Sequence, residues 1–295
     1  MKMRLLHSLP PYNFAGIEPE LSDFKKARVV VLPVPYDSTV CYVAGTRNGP
    51  HAIISASRNM ELYDEELGYE PARIGVHTLE ELEPSRDSPE ETLRRVERAV
   101  SEILENGKFP LVLGGEHSIS IGAVRALAKV HKNMSVLQLD AHSDLRDEFE
   151  GTRLGHTSTM RRISELCDTV QVGIRSMSLE EAEFAKEKKL KLFYARNQPK
   201  PKEVVSKLRK EVYVTIDMDV FDTSEVPAVG TPEPGGLHWY DVLAILREVA
   251  SKRKVVGFDV VELCPIEGDV SSDFLAARLA YKFLGYVFKP HLPKL

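Results

Sequence analysis

Cysteine is scarce: Cys41, Cys167 and Cys264 are the three in a chain of 295 residues. An odd number without paired spacing excludes a disulfide framework and fits a reducing compartment, so the expected location is cytoplasmic. No stretch approaches the roughly 18 apolar residues that a membrane span requires. Met1–Pro10 mixes Lys2, Arg4 and His7 with a short apolar patch and lacks both a signal-peptide core and a cleavage site. Basic charge is not in excess either. A net charge of -5 argues against non-specific nucleic-acid binding and mildly favours small cationic molecules near the surface. There is no internal repeat, no low-complexity tract and no composition break that would place a linker. The whole of 1–295 therefore reads as one α/β domain.

Short β-branched runs alternate with helical patterns. Strands are expected at Arg28–Pro33, Arg73–His77, Pro110–Leu113, Met134–Asp140, Thr169–Ile174, Lys191–Tyr194, Val212–Asp217 and Val255–Val260. The clearest helix is Pro89–Asn106, with Ser88 as its cap, Pro89 and two glutamates in the first turn, and Gly107 as its stop. Others are expected at Ser118–Lys129, His156–Leu166, Leu179–Lys188, Pro201–Arg209, Trp239–Ala250 and Ser271–Leu284. Parallel neighbours require a crossover, so this alternation implies a three-layer α/β/α fold around a mostly parallel eight-stranded sheet.

In such sheets the ligand site lies beyond the carboxyl ends of the strands. Every unusual cluster in this chain sits at such an end: Gly114-Gly115-Glu116-His117-Ser118, Asp140 to Asp144, Asp217 to Asp219, and Glu262. An isolated Asp after a strand is ordinarily a cap or turn residue, and a Gly pair is ordinarily a tight turn. A cap, however, needs one oxygen. Here Asp140, His142 and Asp144 alternate, as do Asp217 and Asp219, and side chains two apart in an extended backbone point to the same side. Four carboxylates gathered in this way repel unless cations lie between them. With His117 and His142 they make an oxygen-rich, thiolate-free set that suits Mn²⁺ or another borderline to hard dication. Six side chains exceed what one hydrolytic ion with open positions would take, which points to two ions that together lower the pKa of a bridging water.

Gly-Gly-Glu-His-Ser at 114–118, Asp-Ala-His-Ser-Asp at 140–144, and Asp217-Met218-Asp219 with the run through Gly236 resemble the three metal motifs of the ureohydrolases, the family of arginase and agmatinase. The resemblance spans nearly the whole chain. It implies two Mn²⁺ per subunit, one held by His117, Asp140, Asp144 and Asp217 and the other by Asp140, His142, Asp217 and Asp219, with Asp140 and Asp217 bridging. It implies further that His156 relays protons, that Glu262 pairs with the substrate guanidinium, that Asp144 stabilises the tetrahedral intermediate, and that the subunits form homotrimers or homohexamers. A lone histidine opening a helix is otherwise a cap or surface residue, and a lone glutamate ending a strand is a turn residue.

The segment after Asp144 looks most like prokaryotic agmatinases, so the leading expectation is cleavage of agmatine to putrescine and urea. Asp147, Glu148 and Glu150 would suit a cationic tail, as in agmatine or its aminopropyl derivative, or form only a solvated loop. Three positions depart from the commonest pattern. Thr223 stands where many members have proline, and Cys264 stands where Asn or Ser is usual. Arg146 replaces the Asn with which arginases read arginine, and it could pair with the carboxylate of formimidoylglutamate or 4-guanidinobutyrate. Two further alternatives are a non-catalytic metal-binding partner subunit and a deacetylase. The first has no need of both His156 and Glu262, and the second typically uses a single zinc.

Overall fold

The computed structural model describes residues 9–289. All but the last two positions of the Met1–Pro10 segment lie outside them. Eight strands form one sheet: β1 Val29–Val34, β2 Val76–Thr78, β3 Phe109–Gly114, β4 Met134–Leu139, β5 Asp168–Ile174, β6 Lys191–Tyr194, β7 Glu211–Asp217 and β8 Lys254–Val261. Their order is β2-β1-β3-β8-β7-β4-β5-β6, and every pair of neighbours is parallel. The central strands are buried along almost their whole length. Burial on both faces is why they read as continuous apolar runs and not as alternating ones.

The helices are α1 Pro19–Ser22, α2 Gly49–Ser57, α3 Pro89–Glu105, α4 Ile119–Val130, α5 Thr159–Ser164, α6 Leu179–Lys188, α7 Pro201–Ser206, α8 Trp239–Lys252 and α9 Ser271–Phe288. One core packs α3, α4, α5 and α6 against the sheet through residues such as Leu93, Ile121, Met160 and Ala185. A second core on the opposite face holds α2, α7, α8 and α9 through Ile53, Val204, Leu246 and Phe283. Among the described residues no helix is long and apolar enough to cross a membrane.

Several boundaries differ from expectation, each for a local reason. Helix α2 is additional to the expected helices: Gly49 and Pro50 start it, and its Ile53, Ile54 and Ser57 are buried. A Cβ on Gly49 would lie 2.7 Å from the Leu263 carbonyl oxygen, so only glycine lets α2 dock on the chain leaving β8. Strand β2 begins late because Pro71–Ile74 form a 3₁₀ turn and Gly75 takes φ 78°. The expected helix from His156 opens as a 3₁₀ turn over His156–Ser158 and is α-helical only from Thr159 to Ser164. Helix α7 ends at Ser206 because the chain must turn into β7, and the Arg209 N–H already donates to Ser135 Oγ of β4.

The central order β3-β8-β7-β4 sets four carboxyl ends side by side. Leu139 pairs with Ile216, so Asp140 and Asp217 follow at adjacent strand ends, and Asp217 pairs with Val261, immediately before Glu262.

Candidate metal centre

Each ligand candidate is positioned by a strand end. His117 follows β3 after the turn at Gly114-Gly115, where a Cβ on Gly115 would fall 2.0 Å from the Tyr36 carbonyl oxygen. His117 Nδ1 faces Asp140 Oδ2 at 3.0 Å, Asp144 Oδ2 at 3.1 Å and Asp217 Oδ2 at 3.4 Å. His142 Nδ1 lies 2.8 Å from Asp219 Oδ2 and 3.7 Å from Asp140 Oδ1. Two groups result, His117 with Asp140 and Asp217, and Asp140 with His142 and Asp219. Asp140 belongs to both and turns one oxygen to each. Asp217 turns Oδ2 toward His117, while its Oδ1 accepts the Asp219 N–H at 2.8 Å.

The electrostatics favour cations here. His117 Nδ1 is buried without a hydrogen-bond partner, although three carboxylate oxygens surround it. Lone pairs converging from a ring nitrogen and carboxylates are what a metal ion satisfies. Burial and the neighbouring Asp140 charge push Asp144 up to about 7. Burial, with Asp219 and Asp140 adding to it, drives Asp217 well above the usual carboxylate range. A divalent ion reverses that penalty.

Supporting groups lie behind the ligands, and the sequence reading assigned them no role. His117 Nε2 donates to Thr215 Oγ1 at 2.8 Å, Thr215 Oγ1 lies 3.3 Å from Ser120 Oγ, and Ser120 Oγ donates at 2.7 Å to the buried Asp259, which also accepts from Tyr213 Oη at 2.6 Å. This chain keeps the His117 proton on Nε2 and leaves Nδ1 as the ligand atom. Gln138 Nε2 likewise donates to Asp140 Oδ2 at 2.6 Å. The available signal was polar residues in otherwise apolar strands: Gln138, Thr215 and Asp259 are fully buried.

Around the ligands lies a cleft of about 270 Å³, lined among others by Arg146, Phe149, His156, Glu181 and Glu262. Asp144 at φ 53° and Glu262 at φ 63° hold left-handed backbone, at a cost of roughly 1–3 kcal/mol each for a residue other than glycine. Glu262 Oε1 accepts the His117 N–H at 2.6 Å. Burial, with the Glu116 charge next, raises its pKa well above the ordinary range. Burial holds His156 down at about 4, so its ring is neutral near pH 7.

A model of the arginase family matches residues 27–285. The chain belongs to the arginase family. It is a ureohydrolase, a hydrolase of a guanidino C–N bond. Among relatives, it is 40% identical to an N(1)-aminopropylagmatine ureohydrolase from Synechocystis over 90% of this chain and 91% of that one. An agmatinase from Bacillus subtilis is 35% identical over 83% and 86%. The crystal structure of agmatine ureohydrolase of Thermoplasma volcanium superposes with a TM-score of 0.86 at 34% identity, covering 97% of this chain and 98% of that one.

Within this arginase-family site, the structure brings His117, Asp140, His142, Asp144, Asp217, Asp219, His156, Glu262 and Arg146 around one cleft. The acidic side chains of the loop after Asp144 do not line it. Asp147 accepts from Arg162 at 2.6 Å and from Arg153 at 2.9 Å, so its charge is already compensated, while Glu148 and Glu150 are exposed and do not line the cleft. A further buried acid in the cleft wall, outside the ligand set, is Glu181 of α6. It accepts from Ser143 Oγ at 2.7 Å and from the Leu145 N–H at 2.9 Å, bracing the ligand loop. Arg146 stacks its guanidinium on Phe149 at 4.8 Å and has no ion pair among the described residues.

Proposed function

We propose that this ureohydrolase is a two-manganese enzyme spanning 1–295 that cleaves the guanidinium of a linear polyamine, N(1)-aminopropylagmatine in preference to agmatine, releasing urea and a primary amine. The observation that carries the reaction is the placement of the Glu262 carboxylate beside the ligand cluster, with one oxygen engaged by the His117 N–H. The substrate rests on resemblance: aminopropylagmatine ureohydrolases share 36–40% of their residues with the chain, and agmatinases 34–36%. The expectation of agmatine thus moves to its longer relative, with agmatine as the lesser substrate. A cytoplasmic homotrimer or homohexamer completes the proposal.

His117, Asp140, Asp144 and Asp217 would hold one ion, and Asp140, His142, Asp217 and Asp219 the other. When bound, the pair would supply water activated for attack near neutral pH. Glu262 orients the planar guanidinium by charge-assisted hydrogen bonds, the carboxylate counterpart of an Arg fork. Water adds to the guanidinium carbon, and Asp144 steadies the N–H groups of the tetrahedral centre. The bond from that carbon to the alkyl nitrogen then breaks, and the amine departs with a proton that neutral His156 can carry.

Protein loaded with Mn²⁺ is expected to release urea from aminopropylagmatine with kcat/KM about tenfold above that for agmatine, a difference of ~1.4 kcal/mol, and to release little from arginine. No urea from any guanidino compound would end this reading. A second reading rests on Arg146, whose unpaired charge in the cleft suits a carboxylate tail. If 4-guanidinobutyrate or formimidoylglutamate proves the best substrate, and Arg146→Ala removes that preference, the carboxylate reading replaces the polyamine one.

A further inference from the structure

We infer that Thr39 is the positioning residue for His156, anchored by the buried Glu116; this rests on the reading of His156 as the proton carrier. Neither Thr39 nor Glu116 belongs to the ligand set. The segment between β1 and α2 is a strap whose neck is closed by Asp37, where Oδ2 accepts the Gly45 N–H at 3.0 Å and the Arg47 N–H at 3.3 Å. Inside the strap, Thr39 clamps onto Glu116 twice. Its N–H donates to Oε2 at 2.7 Å and its hydroxyl donates to Oε1 at 2.5 Å. Glu116 is fully buried and is also held by Ser118 Oγ, so the anchor cannot swing away.

A threonine hydroxyl has one proton and two lone pairs. With the proton spent on Glu116, Thr39 Oγ1 can only accept on its other side, and His156 occupies that side. The His156 N–H donates to Oγ1 at 3.1 Å, and the ring Nδ1 lies 3.5 Å away. The opposite ring nitrogen, Nε2, faces Cys41 Sγ at 3.4 Å, on the lining of the cleft. The arrangement favours the tautomer with hydrogen on Nδ1 and leaves the Nε2 lone pair toward the cleft. The group behind an imidazole fixes which nitrogen is free to take a proton. Here that group is a hydroxyl polarised by a carboxylate, carried on a segment remote in sequence from the histidine.

The test is steady-state urea release by the metal-loaded full chain. Thr39→Ala is expected to lower kcat by roughly 10- to 100-fold, part of the 10²–10⁴ that positioned proton transfer contributes. KM and bound metal should stay near wild type, because no ligand and no guanidinium contact is touched. Thr39→Ser keeps Oγ and should recover most of the lost kcat. In a His156→Ala background, Thr39→Ala should cost nothing further, since two residues acting as a unit are not additive. Wild-type kcat in Thr39→Ala, or an undiminished loss in the His156→Ala background, would overturn the inference. Should no guanidino compound be hydrolysed at all, the functional reading fails separately. A crystal structure of metal-loaded Thr39→Ala then decides: the His156 ring should leave its position while the six ligands stay, and an unmoved ring would refute the role of the strap.

Discussion

Asp140→Ala should leave the purified protein without either metal ion and with urea release reduced on the order of 10⁴-fold or more, which corresponds to ~5.5 kcal/mol of transition-state stabilisation. The expectation follows from its geometry: Asp140 alone belongs to both ligand groups, with Oδ2 3.0 Å from His117 and Oδ1 3.7 Å from His142. The substitution also strands two donors, the His142 N–H at 2.5 Å and Gln138 Nε2 at 2.6 Å. Each lost partner costs about 1–3 kcal/mol, offset in the metal-free protein by removal of one of several mutually repelling carboxylates. Metal analysis after exhaustive dialysis is the direct measurement. Two ions per chain in Asp140→Ala would refute its place as the shared ligand. Asp217→Ala is the companion, because the family resemblance makes Asp217 a bridge as well and so predicts loss of both ions there.

Glu262→Gln is expected to lower kcat/KM for the guanidino amine by roughly 10²–10⁴-fold, the cost of about 3–5 kcal/mol of removing one partner from a buried charge pair. Glutamine keeps an oxygen to accept the His117 N–H, so metal content and melting temperature should stay near wild type. That separates the role of the charge from the role of the shape. Near-wild-type turnover by Glu262→Gln, measured with metal content verified, would mean that the guanidinium is held elsewhere.

The strand ends were legible because chemistry and periodicity coincide there: acids and imidazoles alternate where apolar runs stop, at Asp140 to Asp144 and Asp217 to Asp219. The layered fold followed from the same runs, and all-parallel pairing is the structure's refinement of a mostly parallel expectation. Helix α2 escaped because Gly49-Pro50 serves equally for a turn and for a helix start, and what decides between them is the approach of Leu263, far along the chain. Thr215, Asp259 and Gln138 could have been flagged as polar residues inside apolar strands, but the partners of Thr215 and Asp259 come from other segments, and Gln138 meets Asp140 only at the end of its own strand. Thr39 carried no signal, since a threonine in a loop gains meaning only when folding sets Glu116 and His156 on either side of it. The acidic residues after Asp144 left two readings open in the sequence, a contact for a cationic tail or a solvated loop. Their charges are plain in sequence, but Arg153 and Arg162 neutralise Asp147 only in three dimensions.

The left-handed backbone at Asp144 and Glu262 bears on any attempt to make this enzyme more robust. A screen that selects variants only for survival of heat would favour glycine or asparagine at both positions, because either relaxes the main chain and removes a crowded negative charge. Such winners would be sturdier and inert. Thermostabilisation should therefore hold these two residues fixed and seek its gains elsewhere, on the solvent faces of α3, α6 and α8, where neither the metal ligands nor the strap is disturbed.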